Sequence, residues 1–417
     1  MEDLVALLEG DPRVMRAVSA EVEKRRLCDA CLGRQLGKVG HGSNAERGSI
    51  MRGMADPEMP LLEPSKCSMC EGVVEEYDDL AVEVQHALED YEWDTFLVGT
   101  KTPKRVSQLE SDLYRSFPSV WVEAFKSEVN REVGRRVEAA TDGEADFDTP
   151  DVTLLVDPEF NSVDVQVRSV FVYGRYNKLV RGIPQTRWPC RTCKGRGCEA
   201  CDGTGQQYET SIEQLVAGPF MEVLDGKEHA LHGAGREDID ARMLGEGRPF
   251  VLEIRKPKRR HWGSQEMERR VNEFATGRVE VSGLRDSTKS EVVALKDANW
   301  EKTYLVSFNV DGGVTEEELR AAVGQLSGSV VKQRTPHRVS HRRADKERPR
   351  AVRQLELVDL SGGNAKVEVR GESGIYVKEL IHGDRGRTQP SMAELLGRSC
   401  DVVELDVLKV HDDDRGE

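Results

Sequence analysis

Nine cysteines occur in the 417-residue chain, and eight of them form four Cys-x-x-Cys pairs: Cys28/Cys31, Cys67/Cys70, Cys190/Cys193 and Cys198/Cys201. A two-residue spacer lets one turn of chain point two thiolates at one ion, and two such turns complete a tetrahedral zinc site. The first two pairs, 35 residues apart, predict one such site. The tighter stretch CRTCKGRGCEACDGTG predicts a second. Its glycines 195, 197, 203 and 205 permit the left-handed turns that a compact knuckle needs. Neither cluster has a neighbouring His arranged around a vacant position, so the expectation is one or two structural zinc ions. A redox role is the lesser option, because no thioredoxin-like context surrounds the pairs. Cys400 has no partner in sequence.

A second constellation is polar. Gly235-Arg236-Glu237-Asp238 lies in the glycine-rich segment from Gly233 to Gly245. Asp238 offers a nucleophilic or basic carboxylate, and Arg236 is placed to pair with it or to meet a phosphate. Asp240 is the structural neighbour. No strand is read before Gly233, no GxGxxG follows, and no GxxxxGK[ST] occurs anywhere. ATP and dinucleotides are therefore discounted, and no organic cofactor is expected. Further on, Lys302-Thr303-Tyr304 opens a strand, and Gly374-Ile375-Tyr376-Val377-Lys378 adds another tyrosine beside a cation. Basic residues cluster at 255–260 and again at 332–353, where nine Lys or Arg face two acids.

The elements that must position these groups are mixed. Residues 1–27 read as one helix from the spacing of Leu4, Leu7, Leu8, Val14, Ala17 and Val18. Residues 40–66 read as an irregular connection. Helical stretches and short apolar runs alternate over 73–140, with most of 114–137 helical. Val152 to Val156 and the alternating Val163, Val165 and Val167 read as strands. A domain boundary is placed near residue 172. Thr210 and Glu213 predict a capping box for the helix after the second cluster. Strands then dominate: 250–254, 278–281, 304–310, 355–360, 366–369 and 402–410. The fold class is α+β.

The formal net charge is −15, from 75 acidic and 60 basic residues. Alone this argues weakly against nucleic acid; the even spread of acids also suits a salty cytoplasm, and the local basic clusters weigh more. No run of 18 apolar residues occurs, so no membrane span is expected, and Met1-Glu2-Asp3-Leu4 does not open a signal peptide.

The ordered set GRxD, KxY and GxYxK resembles the three motifs of pseudouridine synthases. GRYNKLVRGIPQT (174–186), GREDIDARMLGEGRPF (235–250), KQRTPHRVSHRRAD (332–345) and HGDRGRTQPS (382–391), with CLGRQLGKVGHGSNAERG (31–48), are similar to the archaeal and eukaryotic tRNA pseudouridine 54/55 synthase family. The chain resembles an archaeal member over nearly its whole length. The resemblance implies a zinc-bearing, THUMP-containing RNA-binding domain at 1–172. It implies a pseudouridine synthase domain at 173–417, with a mixed, mainly antiparallel sheet and the 190–201 cluster inserted. The implied reaction isomerises uridine 55, and uridine 54, in the T-arm of tRNA. Asp238 would be nucleophile or base with Arg236 beside it. Tyr304 would stack on the flipped base, with Tyr376, Lys302 and Lys378 around it. Arg342 and Arg343 would belong to a mobile RNA-gripping loop. Transfer RNA is the one partner expected, with no membrane and no obligate protein partner, in the cytoplasm. The competing reading is a non-catalytic, zinc-stabilised RNA-binding protein, which needs no Asp at 238. A methyltransferase or thiolase with a similar front domain is disfavoured by the missing nucleotide loop.

Overall fold

The computed structural model describes residues 1–340, 344–361 and 363–412. They form two compact units, one of Met1–Arg168 with Lys256–Arg260, the other of Ser169–Arg255 with the chain from His261 onward. The expected boundary at 172 falls inside the strand Val170–Lys178, and the units part just before that strand begins.

In the first unit, the single helix expected over 1–27 is two, Glu2–Gly10 and Pro12–Lys24. Pro12 has no N–H to continue a helix, and Asp11 caps the second by accepting from the Arg13 N–H at 2.9 Å. The connection expected over 40–66 contains a helix, Asn44–Ala55, started by a full capping box between Ser43 and Glu46. That helix lies backbone to backbone on the short helix Asp29–Gly33. A Cβ on Gly33 would stand 1.9 Å from the Asn44 carbonyl oxygen, and one on Gly48 would stand 1.8 Å from that of Asp29. Only glycine fits at either place, which accounts for two glycines of the 31–48 motif. The helix expected over 114–137 runs instead from Phe125 to Ala140.

Four strands follow: β1 (Thr95–Thr100), β2 (Glu144–Ala145), β3 (Val152–Asp157) and β4 (Ser162–Val167). Their order is β2-β1-β3-β4, parallel except for the β3–β4 hairpin. Val152, Leu154 and Val156 turn one face of β3 into the core, as period-2 alternation requires.

The second unit is built on β5 (Val170–Lys178), β6 (Glu228–Gly233), β7 (Arg242–Arg255), β8 (Val279–Ser287), β9 (Lys302–Val310), β10 (Val330–Arg334), β11 (Glu347–Ser361), β12 (Asn364–Gly371), β13 (Thr388–Gln389) and β14 (Cys400–Val410). The order is β13-β10-β11-β12-β9-β14-β7-β5-β8, with β6 also on β7. Every pairing is antiparallel except β7 with β14. The fold is thus α+β with a mixed, mainly antiparallel sheet. One apolar cluster packs helices Ile212–Leu224 and Ser264–Phe274 onto β5, β7 and β8. Another packs helices Glu316–Leu326 and Val377–His382 onto β9, β11 and β12. Tyr304 touches both clusters.

The capping box expected at Thr210 and Glu213 is displaced by one residue. Ser211 is the cap and accepts from the Gln214 N–H at 3.2 Å, while Glu213 accepts from the Arg187 N–H at 3.1 Å. A strand, β6, does precede the glycine-rich segment. Its sequence, Glu-His-Ala-Leu-His-Gly, holds no β-branched residue to betray it. Among the described residues no helix is long and apolar enough to cross a membrane.

Candidate active site

Asp238 sits on the loop between β6 and β7, and that loop rests on a buried polar lattice. Arg248 of β7, 1 % exposed, donates from Nε to Glu237 Oε2 at 2.9 Å and from Nη1 to the Ala234 carbonyl at 2.7 Å. The Tyr176 hydroxyl donates to Glu237 Oε2 at 2.9 Å. Gln185 Nε2 donates to that hydroxyl at 2.8 Å and to the Gly235 carbonyl at 2.9 Å. Lys178 Nζ, fully buried, reaches the Ile239 carbonyl at 2.8 Å and that of Asp238 at 3.3 Å. Burial pushes the Lys178 ammonium down to about 8, and it lifts the Tyr176 hydroxyl well above the ordinary range. A buried charge is tolerated only when its partners are in place; here those partners are the loop itself. The segment 174–186 thus supplies three of the props beneath Asp238.

Above the loop lies a cavity of about 420 Å³. Asp238, Arg236, Lys302, Tyr304, Tyr376 and Lys378 all line it, and so does Arg338. Arg338 Nη1 stands 3.0 Å from Asp238 Oδ2, and Lys378 Nζ stands 3.7 Å from the same oxygen. Lys378 also holds Asp240 at 2.6 Å. Burial disfavours the Asp240 carboxylate, yet the Lys378 hydrogen bond and charge outweigh it and lower the pKa. Arg338 is braced from behind by Glu379, 1 % exposed, through a 2.7 Å bond from Nε. Burial would lower the Arg338 pKa, but Glu379 and Asp238 together raise it, so the guanidinium stays charged. Burial and the neighbouring Arg248 bring Lys302 down to about 8. Burial lifts Tyr304 to about 12, keeping the phenol neutral. The result is a carboxylate held among cations, with tyrosines in the wall and room for a planar, anionic substrate.

Two expectations need correction here. Arg236 does not pair with Asp238; its guanidinium lies over the Trp188 ring, 5.6 Å from the centroid. The ion pair expected of it is made by Arg338, which no spacing in the sequence singled out, although it lies inside the 332–345 stretch. The basic stretch 332–353 is largely hairpin, with Lys332 opposite Pro349 and Arg334 opposite Glu347. Several of its cations are already paired: Arg334 with Asp345 at 2.7 Å, Arg350 with Glu372 at 3.1 Å and Arg353 with Glu301 at 2.6 Å. Arg342 and Arg343 lie outside the described residues. Cations at 255–260 are likewise engaged: Arg255 meets Glu253 at 3.1 Å, Lys258 meets Asp90 at 3.0 Å, and Arg260 meets the buried Asp151 at 3.0 Å.

Both cysteine sets converge. In each, the four sulfurs lie within 4.8 Å of one another, and all are free thiols. Tetrahedral zinc with bonds of ~2.3 Å sets sulfurs roughly 3.8 Å apart. Cys28 and Cys70 are 3.7 Å apart, Cys190 and Cys198 are 4.0 Å, and Cys193 and Cys201 are 3.9 Å. Each set could hold a zinc ion.

Comparisons with known proteins place nearly the whole chain among its relatives. The family model described as Pus10, C-terminal, matches residues 171–411, and that of the archaeal Pus10 THUMP domain matches 80–157. A tRNA pseudouridine synthase Pus10 from Halorubrum lacusprofundi is 44% identical over 401 residues, covering 93% of this chain and 94% of the relative. A protein of the same name from Methanothrix thermoacetophila is 43% identical over 416 residues, covering 92% and 91%. Another from Methanocaldococcus jannaschii is 36% identical over 439 residues, covering 96% and 95%.

Proposed function

The chain belongs to the Pus10 family, and from that premise we propose that its Asp238 cavity isomerises uridine 55, and uridine 54 beside it, in the T-arm of tRNA. It is a tRNA pseudouridine synthase. The reaction breaks the N1–C1′ bond, turns the uracil and joins C5 to C1′; C5 gives up its proton and N1 gains one. Nothing is oxidised or reduced.

The observation that carries the reading is the setting of Asp238, whose carboxylate stands 3.0 Å from Arg338 in a cavity walled by Tyr304 and Tyr376, while the neighbouring Glu237 is tied down by Arg248 and Tyr176. An ionised carboxylate beside the ribose can attack C1′ or take the 2′ proton. Tyr304 offers its face to the flipped base, whose unstacking costs a few kcal/mol. Lys302, Lys378 and Arg236 meet the flanking phosphates. The THUMP-containing first unit is the second grip on the tRNA, and such a substrate puts the enzyme in the cytoplasm. Each tetracysteine set would hold one zinc ion by four thiolates. With no open coordination position, that ion supplies structure and no chemistry.

The test is Asp238→Asn on a uridine-labelled tRNA transcript without added cofactor. The amide keeps the shape and loses the reactive oxygen. Turnover should vanish while tRNA binding persists; pseudouridine formed by this variant would overturn the assignment. A non-catalytic RNA-binding protein predicts no turnover even from the wild type.

A further inference from the structure

The second tetracysteine set does more than close on itself. Residues 187–208 form one knuckle on the catalytic unit, and its foot is clamped. The Gln207 N–H donates to the Trp188 carbonyl at 3.0 Å, the Cys190 N–H to that of Gly205 at 2.8 Å, and Pro189 pairs with Gln206. After each Cys-x-x-Cys, two residues in the left-handed region, Lys194 with Gly195 and Asp202 with Gly203, turn the chain back. The Gly197 and Gly205 N–H groups then point at Cys193 Sγ and Cys201 Sγ, each at 3.2 Å.

The knuckle has two further features. Arg187, Arg191, Lys194 and Arg196 are exposed, against the acids Glu199 and Asp202, in a chain whose net charge is −15. At the foot, the Trp188 ring packs edge-on against Tyr208 at 5.7 Å and lies beneath the guanidinium of Arg236. Arg236 is two residues from Asp238 and lines the same cavity. A guanidinium held over an indole face is attracted by the ring quadrupole and loses swing.

We propose that the knuckle is a second RNA contact of the catalytic unit, and that Trp188 is a positioning residue that passes its metal-set placement to Arg236 at the cavity wall. The proposal rests on the tRNA reading above. The knuckle's cations meet phosphates outside the target nucleotide. Arg236, held over Trp188, meets a phosphate beside it. A zinc ion held by Cys190, Cys193, Cys198 and Cys201 would reach the cavity by keeping Trp188 in place.

The test uses the full-length, metal-loaded enzyme and a T-arm-containing tRNA transcript, with Kd, KM, kcat, salt dependence and zinc content measured together. Arg191→Ala/Lys194→Ala/Arg196→Ala should raise Kd and KM about tenfold or more and leave kcat in place. It should flatten the slope of log Kd against log salt by roughly 0.7–0.9 for each phosphate that is no longer neutralised. Trp188→Ala should raise KM with zinc content and melting temperature unchanged, and Trp188→Phe, which keeps a ring under Arg236, should restore most of it. Cys198→Ser/Cys201→Ser should lose one zinc and raise KM at least as far as Trp188→Ala does, because the loop that carries Arg191, Lys194 and Arg196 loses its order as well, and adding Trp188→Ala should bring little further rise. A triple variant with wild-type Kd and slope removes the surface from the RNA site. A Trp188→Ala enzyme with wild-type KM, or a Trp188→Phe enzyme as poor as Trp188→Ala, removes the link to Arg236. A wild type that binds the transcript without converting it defeats the activity reading alone, because the Kd comparison still decides the surface.

Discussion

The two tetracysteine sets share donors and spacing yet differ in what surrounds them. Cys28, Cys31, Cys67 and Cys70 lie inside the first unit's apolar core, none more than 1 % exposed, together with Leu32, Leu36 and Met69. Arg34, also fully buried, donates to Cys31 Sγ at 2.6 Å, pairs with Glu128 at 2.9 Å and lies over Phe125. Among the described residues, the cysteines at 190–201 form a cluster with no other hydrophobic member. The first set is a core staple that the fold is built around. The second is a local clip whose energy stays in its own loop. Spacing foretells the ion; only packing tells whether a domain depends on it.

The largest expected effect tests the staple. Cys67→Ser/Cys70→Ser forfeits a binding energy of about 10–16 kcal/mol, as large as the ~5–15 kcal/mol stability of a whole domain. The first unit should become protease-sensitive while the catalytic unit stays resistant. A first unit that survives intact would break the comparison. Arg34→Met comes next. It leaves Glu128 buried beside an apolar side chain, a loss of roughly 3–5 kcal/mol for a broken buried pair, and denaturant unfolding of the first unit should shift accordingly. In the second set, Cys198→Ser/Cys201→Ser should remove one zinc yet move the catalytic unit's midpoint by no more than about 1 kcal/mol, within the range of ordinary single substitutions. A midpoint that collapses would make this set a staple too. The smallest effect is Gly197→Ala. Gly197 has φ +88°, and a Cβ there would stand 2.6 Å from the Gly203 carbonyl oxygen. Zinc should leave the second set more readily under a competing chelator, with no change in melting.

Much of this was legible in residue types. The cysteine pairs declared their clusters because metal ligation is local in each half-site and needs only two turns to meet. Asp238, Lys302, Tyr304, Tyr376 and Lys378 reach one cavity from three separated segments, and ordered short motifs pointed to all three. Arg338 was invisible for the opposite reason. Its role comes from Glu379, 41 residues away in sequence, and no local pattern encodes such a brace. The same holds for Tyr176, Lys178 and Arg248, whose polar heads are satisfied by a loop they meet only in the fold. Helix boundaries failed where one residue decides: Pro12 split an apolar periodicity that read as continuous, and the Ser43–Glu46 box started a helix inside a stretch judged by its glycines and prolines. Within the basic clusters, charge in sequence says nothing of the acids brought opposite, as Asp151 is to Arg260.

The clamped foot of the knuckle has an evolutionary corollary. Trp188 and Gln207 are hydrogen-bonded neighbours, so the eighteen residues between them leave and re-enter the fold at one point. Loop-closure entropy grows only slowly with loop length, so an insert closed at its foot can change length at little cost. The insert is therefore an exchangeable cassette. A lineage that lengthens or recharges it changes the surface offered to RNA and leaves the sheet beneath as it is.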